Sequence, residues 1–358
     1  MLKDDFVQTC RRIWPNLTKE EYLHRSYVGV LAYFESQARG IAGHSSDGGE
    51  VDYSAMLSII DALASNCNAL STRGGCVAAT RAQLPKSTPE TVVMRCCERA
   101  LRMILSLDIR LDSREGLVSR AGSSTVDWGD HMSLARAIEN HFVSNGHHTR
   151  DAVTGRINPS LSVAHLCTYR GFKVFWTSNL CEHLSISWKS KIITIYEHKI
   201  VLWNHLRSSE TPVIPRSILE EAIDTLNLLF PLNDRPTTTF LSQNGKDFRG
   251  VGYCSRPRDA CLDLGKFNIW RGRVAELVEA MNEEPKGLRQ LALEKDGRNF
   301  LPFVTFWVAI SVALLSALSL PFAAISMLYT IKQYDLALAQ ACSDSNVRDA
   351  LPQYCSPG

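Results

Sequence analysis

Surplus charge is missing from this sequence. The chain of 358 residues carries 39 Lys and Arg against 37 Asp and Glu, a formal +2. No chain-wide field draws it toward nucleic acid or an acidic partner. Catalytic signatures are missing too: there is no Gly-x-Ser-x-Gly elbow, no His-Glu-x-x-His, and no Walker glycine spacing before Lys246 or Lys266. Gly250-Val-Gly252 leads into a tyrosine and a cysteine instead of a third glycine opening a helix, which argues against a phosphate loop. The opening stretch MLKDDFVQTCRRIWPNL has no apolar core of signal-peptide length, so no secretory signal is expected.

The most informative absence is local. Residues 302–331, PFVTFWVAISVALLSALSLPFAAISMLYTI, contain no Asp, Glu, Lys, Arg or His. A helix needs about 20 apolar residues to cross a hydrocarbon core of roughly 30 Å, and this run exceeds that. Thr305, Ser311, Ser316, Ser319 and Ser326 interrupt it, and hydroxyls can bond back to their own helix. Phe303, Phe306 and Trp307 crowd one end and Tyr329 and Tyr334 the other, as an aromatic belt would. Pro321 is expected to kink or divide the segment. We read residues 302–331 as one transmembrane helix, with the lipid bilayer as its partner.

The flanks set an orientation. Lys286, Arg289, Lys295 and Arg298 precede the run, whereas only Lys332 and the distant Arg348 follow it. The positive-inside rule then places the N-terminal part in the cytosol and residues 332–358 across the membrane as a short lumenal tail. Asn16-Leu-Thr18 is the only glycosylation sequon, so on this reading it stays unmodified. A span so close to the C-terminus implies post-translational insertion, the tail-anchored arrangement. An endoplasmic-reticulum or secretory-pathway membrane is the first expectation and the mitochondrial outer membrane the second.

Cysteines number 11, scattered except at the end. In a reducing cytosol those before the span read as small apolar core residues. Cys342 and Cys355 alone lie beyond it, in an oxidising lumen on this topology, and form a candidate disulfide. Within the span, Ala309, Ala313 and Ala317 repeat every four residues and form a flat strip. Small residues at that spacing let two helices approach closely, so a homodimer through the membrane helix is an expectation.

The remainder reads as mainly α, with a small β element at about residues 172–196. We expect an N-terminal helical region over 1–150 and a helical domain with a hairpin over 151–298. A capping box at Thr18–Glu21 opens a helix carrying Tyr27, Val30, Leu31 and Phe34 and ending near Ala38. A second helix is expected over residues 53–70, followed by an irregular stretch from Ser71 to Ser87. Thr88-Pro89-Glu90 starts a third, with Thr88 as cap and Arg95, Glu98, Arg99 and Arg102 on a solvated face. Leu134, Ile138 and Phe142 mark a shorter one, closed at Asn145-Gly146. Asn158-Pro159 caps a helix ending at Gly171, residues 172–176 form a strand, Thr177 caps a short turn, and residues 185–196 form a hairpin. Helices follow at 198–206 and after Pro215, then a loop-rich stretch from Leu232 to Asp259, then a strongly periodic helix from Phe267 to Met281.

FKVFWTSNLCEHLSI, ITIYEHKIVLWNHL, IPRSILEEAIDTLNLLFP and the later FWVAI-led apolar run occur in that order. This ordered set resembles a large group of filamentous-fungal proteins that has no assigned activity. The resemblance covers roughly residues 128–334 and implies the architecture; it carries no catalytic residue across.

One constellation has metal-ligand chemistry: His165-Leu-Cys167 with Cys181-Glu-His183. Two His and two Cys can close a tetrahedral zinc site. Each pair is spaced by one residue, however, where structural zinc pairs keep two to four between them, and neighbours two apart on a helix face different ways. We therefore read them as packed cysteines and helix histidines, and expect no metal and no cofactor. Lys189 and Lys191 would sit on the wing of a winged helix, but that fold needs two helices where one short one fits. The leading expectation is a non-enzymatic, tail-anchored protein whose helical domain binds an unidentified protein or senses a state at the membrane. An enzyme with a site assembled from distant residues is the alternative, and a membrane-tethered nucleic-acid binder the third.

Overall fold

The computed structural model describes residues 3–15, 27–42, 53–65, 70, 72–111, 124–146, 155–208, 213–252, 254–282, 300–343 and 352–355. Two compact units result, Met1–Glu283 and Glu284–Gly358. The protein is mostly helical, with a small sheet element and one long apolar C-terminal helix.

In the first unit the helices are α1 (Lys3–Ile13), α2 (Val28–Ala42), α3 (Tyr53–Ser65), α4 (Arg73–Ala82), α5 (Glu90–Leu105), α6 (Leu134–Gly146), α7 (Val163–Tyr169), α8 (Lys199–Ser208), α9 (Arg216–Leu229), α10 (Arg235–Gln243) and α11 (Arg271–Asn282). Strands β1 (Asp108–Arg110) and β2 (Thr125–Asp127) pair in parallel. Strands β3 (Lys173–Thr177), β4 (Ile186–Ser187) and β5 (Ile192–Tyr196) form a sheet of order β3-β5-β4. The expected hairpin is β4-β5, antiparallel, while β3 lies parallel to β5 with Thr177 opposite Tyr196.

Helix α9 is the strut of this unit. Its sequence shows one apolar face, Ile218, Leu219, Ala222, Ile223 and Leu226, yet Glu221, Asp224, Thr225 and Asn227 are buried as well. A helix buried on all sides must satisfy every polar side chain internally. Glu221 accepts the backbone N–H groups of Asn268, Ile269 and Trp270 at 2.9, 2.7 and 2.7 Å, fixing the start of α11. Asp224 accepts from the backbone and Nε of Arg256. Thr225 donates to the Ala222 carbonyl, and Asn227 accepts from the buried Lys199 ammonium at 2.7 Å. Burial lowers the Lys199 ammonium to about 8, against weaker support from Cys254 and Asp224.

Polar contacts tie early residues to late ones. The Asn204 amide donates to the Tyr27 hydroxyl at 2.6 Å, and the Leu180 N–H to the Ser106 carbonyl at 2.9 Å. The His205 imidazole bonds the Ile104 carbonyl at 3.0 Å and meets Trp14 edge-on. The expected division at residue 150 falls outside the described residues, and these bonds span it.

Several local expectations are corrected. Helix α4 occupies the stretch read as irregular: the Thr72 hydroxyl accepts the Gly75 N–H, and Cys76 and Thr80, one turn apart, enter the core. Helix α10 occupies part of the stretch read as loop, capped by Asp234, whose carboxylate accepts from the Thr237 N–H, with Pro236 in its first turn. Helix α5 starts after Pro89, which leaves Thr88 outside the cap. Helix α7 begins after Ser162, whose hydroxyl accepts the His165 N–H; Asn158 instead accepts from Ser160 in a preceding turn. The turn after β3 is capped by Asn179, and Thr177 supports it by accepting the Asn179 N–H and donating to Glu182. Helix α2 runs to Ala42, past its expected end, and α11 starts at Arg271, after Phe267. The Thr18–Glu21 box lies outside the described residues.

In the second unit, helix α12 spans Phe300–Ser343 and a short helix α13 spans Pro352–Cys355. Residues 303–343 are long and apolar enough to cross a membrane, with a mean hydropathy of 2.2 in the most apolar window and none of that window buried inside the fold. The helix runs through Pro321 undivided and continues beyond Lys332, where the charge pattern had placed its end. Membrane helices tolerate proline because hydroxyls and local adjustments re-satisfy the freed backbone. Thr305, Ser311 and Thr330 bond the carbonyl one turn back, and Ser319 that of Ser316, so their polar groups are consumed within the helix.

Candidate functional site

Parallel strands align their carboxyl ends, and the loops leaving those ends converge. Here β3 and β5 finish in register, so Ser178 after one and Glu197 and His198 after the other come together. The Ser178 hydroxyl donates to Glu197 Oε1 at 2.9 Å and lies 3.2 Å from His198 Nε2. Lys246, beyond the end of α10, pairs with Glu197 Oε2. Its ammonium also lies 5.4 Å from the Trp176 ring centre, and the Trp176 indole N–H donates to Asn244 at 3.3 Å. Trp176 in turn packs on Phe230, Phe240 and Phe248.

A cavity of about 400 Å³ opens against this group, lined by Val28 and Gly29 of α2, Glu197, His198, Thr238, Leu241, Ser242, Gly245, Lys246, Asp247 and Phe248. Burial lowers His198 to about 4, Glu197 opposing it only in part, so the imidazole is neutral at physiological pH. With the Ser178 proton directed at Glu197, His198 Nε2–H is the donor to the Ser178 oxygen. Burial raises the Glu197 carboxyl, but His198, Lys246 and Ser178 outweigh it and hold the group below its usual range. The result is a hydrogen-bonded chain, His198–Ser178–Glu197–Lys246, on the wall of a cavity. It differs from a nucleophilic triad, because serine and carboxylate approach the same ring nitrogen. What it offers is an ionised carboxylate and an ammonium at fixed positions for a polar ligand.

A larger cavity, about 770 Å³, lies beside α7 and includes Pro159, His165, Tyr169, Pro231, Pro236 and Pro257 in its lining. Two of its charged groups, Arg258 and Asp234, are committed to the fold. Arg258 donates to the carbonyls of Pro159, Leu161 and Leu228, and Asp234 caps α10.

The candidate zinc residues are distributed as follows. His165 lies against Tyr169 on α7, the rings tilted at 46° with centres 4.7 Å apart, and Cys167 is half-buried on the same helix. Cys181 is buried in the turn Leu180–Glu182. His183 is buried with both ring nitrogens occupied: Nδ1 accepts the Tyr196 N–H at 3.1 Å, so Nε2 carries the proton and meets Thr225 Oγ1 at 2.7 Å. Burial, with Arg273 nearby, lowers it to about 3. Among the described residues no group of three or more His, Cys, Asp or Glu is placed to hold a metal ion. Lys191 donates to the Arg170 carbonyl at 3.0 Å and lies over Phe172, while Lys189 is exposed. Cys342 at the end of α12 is disulfide-bonded to Cys355 in α13, with Cα atoms 5.4 Å apart. Ala309, Ala313 and Ala317 lie exposed on α12.

Sequence reasoning passed over Glu197 and Lys246 and read His198 as an ordinary residue of the helix expected at 198–206. The signal available for Glu197 and His198 was their place at the end of the apolar strand ITIY, where a strand hands over to a helix; Lys246 had no such signal. Comparison of the chain with protein-family models, with curated proteins and with solved structures returns no match.

Proposed function

We propose that this protein is a tail-anchored, single-pass membrane protein whose N-terminal unit faces the cytosol and serves as a protein-interaction or sensing module. The observation that carries the anchor is the apolar helix over residues 303–343, unburied in the fold. The excess of Lys and Arg before it supports the orientation. The membrane is that of the endoplasmic reticulum or a later secretory compartment, in keeping with the pairing of Cys342, in the last turn of that helix, with Cys355 after it. The cavity beside Glu197, His198 and Lys246 favours a second reading, a small-ligand or enzymatic role for the same unit. Proximity labelling from the N-terminal unit in native membranes separates the two. A reproducible set of protein partners supports an interaction module; enrichment confined to the enzymes of one metabolic route supports the second reading and removes the first.

Ala309, Ala313 and Ala317 support self-association of the span. Ala313→Leu places a branched side chain in the middle of that strip. It should lower pairing in a membrane dimerisation reporter several-fold with insertion unchanged; equal pairing would eliminate the strip as an interface.

A further inference from the structure

Two buried thiols from different helices lie closer than packing requires. Cys76 on α4 and Cys97 on α5 have their sulfurs 3.1 Å apart, and both side chains are fully buried. Two sulfurs in ordinary contact sit farther apart than this, and a disulfide needs about 2.05 Å, so closure asks for a movement of about 1 Å. The flanking helices are packed together: α4 and α5 contact each other and both contact α3. The other buried cysteines of this unit, such as Cys10 and Cys181, are isolated thiols whose pKa burial raises, and they behave as small apolar side chains.

We propose that Cys76 and Cys97 are an oxidation site, closing to a reversible disulfide that locks α4 to α5 when the protein meets a hydroperoxide. The pair is polarised for this. The hydrogen bond from Cys76 draws the Cys97 thiol below its ordinary range against the opposing effect of burial, with Thr80 adding to the pull. The same bond, together with burial, raises Cys76, so of the two thiols Cys76 holds its proton the more tightly. Cys97 gives its proton to solvent and, as thiolate, attacks the hydroxyl-bearing oxygen of the hydroperoxide; the O–O bond breaks, and the departing alkoxide takes up a proton and leaves as an alcohol, or as water from hydrogen peroxide. Cys97 is then a sulfenic acid. Cys76 attacks its sulfur, the S–S bond forms, and the hydroxyl leaves as water with the Cys76 proton. Two thiols give up two electrons, and one peroxide bond accepts them.

Burial selects a small oxidant and shields the pair from bulky thiols, which makes closure slow to reverse. Cys96, the adjacent position, is 7% exposed and is the thiol nearest solvent of the three. Burial raises its pKa while Arg99 and Arg95 pull against that. It is the natural competitor for Cys76 and therefore the control.

The test uses the full chain in detergent micelles or nanodiscs, independently of its sidedness in cells. The protein is treated with hydrogen peroxide while folded, free thiols are alkylated, and trypsin releases residues 74–81 and 96–99. The linked pair of peptides should become the major form of both after oxidation and vanish on reduction, in the wild type and in Cys96→Ser alike. It should be lost in Cys97→Ser. No linked peptide in the oxidised wild type would overturn the proposal. So would its loss in Cys96→Ser, or its persistence in Cys97→Ser, because either assigns the bond to Cys96. Should Cys97→Ser fail to fold, the wild type and Cys96→Ser decide the matter between them.

Discussion

Deleting residues 302–331 should move the protein from the carbonate-resistant membrane pellet almost entirely to the soluble fraction. The deleted run holds all but Asn299, Phe300 and Leu301 of the charge-free stretch between Arg298 and Lys332, and each Leu, Ile, Phe or Val at its centre contributes about −0.3 to −0.6 kcal/mol of insertion free energy. Summed over the run, that outweighs any surface attraction available to a chain with a formal charge of +2. A graded version checks the mechanism: Ser316→Arg at mid-span costs about 3 kcal/mol. It should weaken insertion without abolishing it, because the rest of the run remains. Carbonate fractionation with the N-terminal unit as reporter gives both results. A deletion variant that stays in the pellet would mean that some other surface of the protein binds membranes.

Acidification should unfold the first unit well above the range of ordinary carboxylate titration. His183, His198 and His205 are buried, and burial is the leading cause that lowers them to about 3, 4 and 4. In the unfolded chain each returns to its ordinary value of 6.5. A group whose pKa is depressed by folding contributes in full above its unfolded value and loses that contribution as pH falls toward the folded one. At pH 5 the unfolded chain has bound three protons that the native state refuses, a loss of about 2 kcal/mol for each histidine. About 6 kcal/mol rivals the whole stability of many domains. The geometry says why protonation is refused: His183 Nδ1 already accepts the Tyr196 N–H, so a proton there would set donor against donor. Urea unfolding followed by tryptophan fluorescence at pH 7.5 and 5 reads the difference. His205→Gln, which keeps a donor toward the Ile104 carbonyl, should remove about a third of it. A midpoint unchanged between the two pH values would contradict the burial of these three rings as neutral groups.

The long apolar helix and the β element were legible because each rests on a local pattern. An uncharged run announces a span by length alone, and ITIY between turn residues announces a strand. Helices α4 and α10 were hidden for chemical reasons. Gly74 and Gly75 break the propensity of α4, and a cap at Thr72 with Cys76 and Thr80 in the core restores it. The threonine run of α10 favours strand, and Asp234 with Pro236 overrides it. The candidate site was illegible for a different reason. Ser178 and Glu197 meet because β3 pairs with β5 in parallel, and nothing within either strand encodes that pairing. The polar residues of α9 resisted reading in the same way, since Glu221 and Asp224 look like a solvated face until Trp270 and Arg256 are placed beside them. Likewise, the approach of Cys76 to Cys97 depends on how two helices pack, not on spacing along the chain.

The central claim is the sidedness of one span, and N-glycosylation reads it most directly. Arg348→Thr converts Asn346-Val347 into the start of an acceptor site beyond the span, while Asn16-Leu-Thr18 is the natural one before it. Expressed in cells or translated with microsomes, the wild type should run unshifted, and Arg348→Thr should gain a single glycan that an endoglycosidase removes. A glycan on Asn16 of the wild type would place the N-terminal unit in the lumen and contradict the orientation, and with it the cytosolic module proposed for that unit.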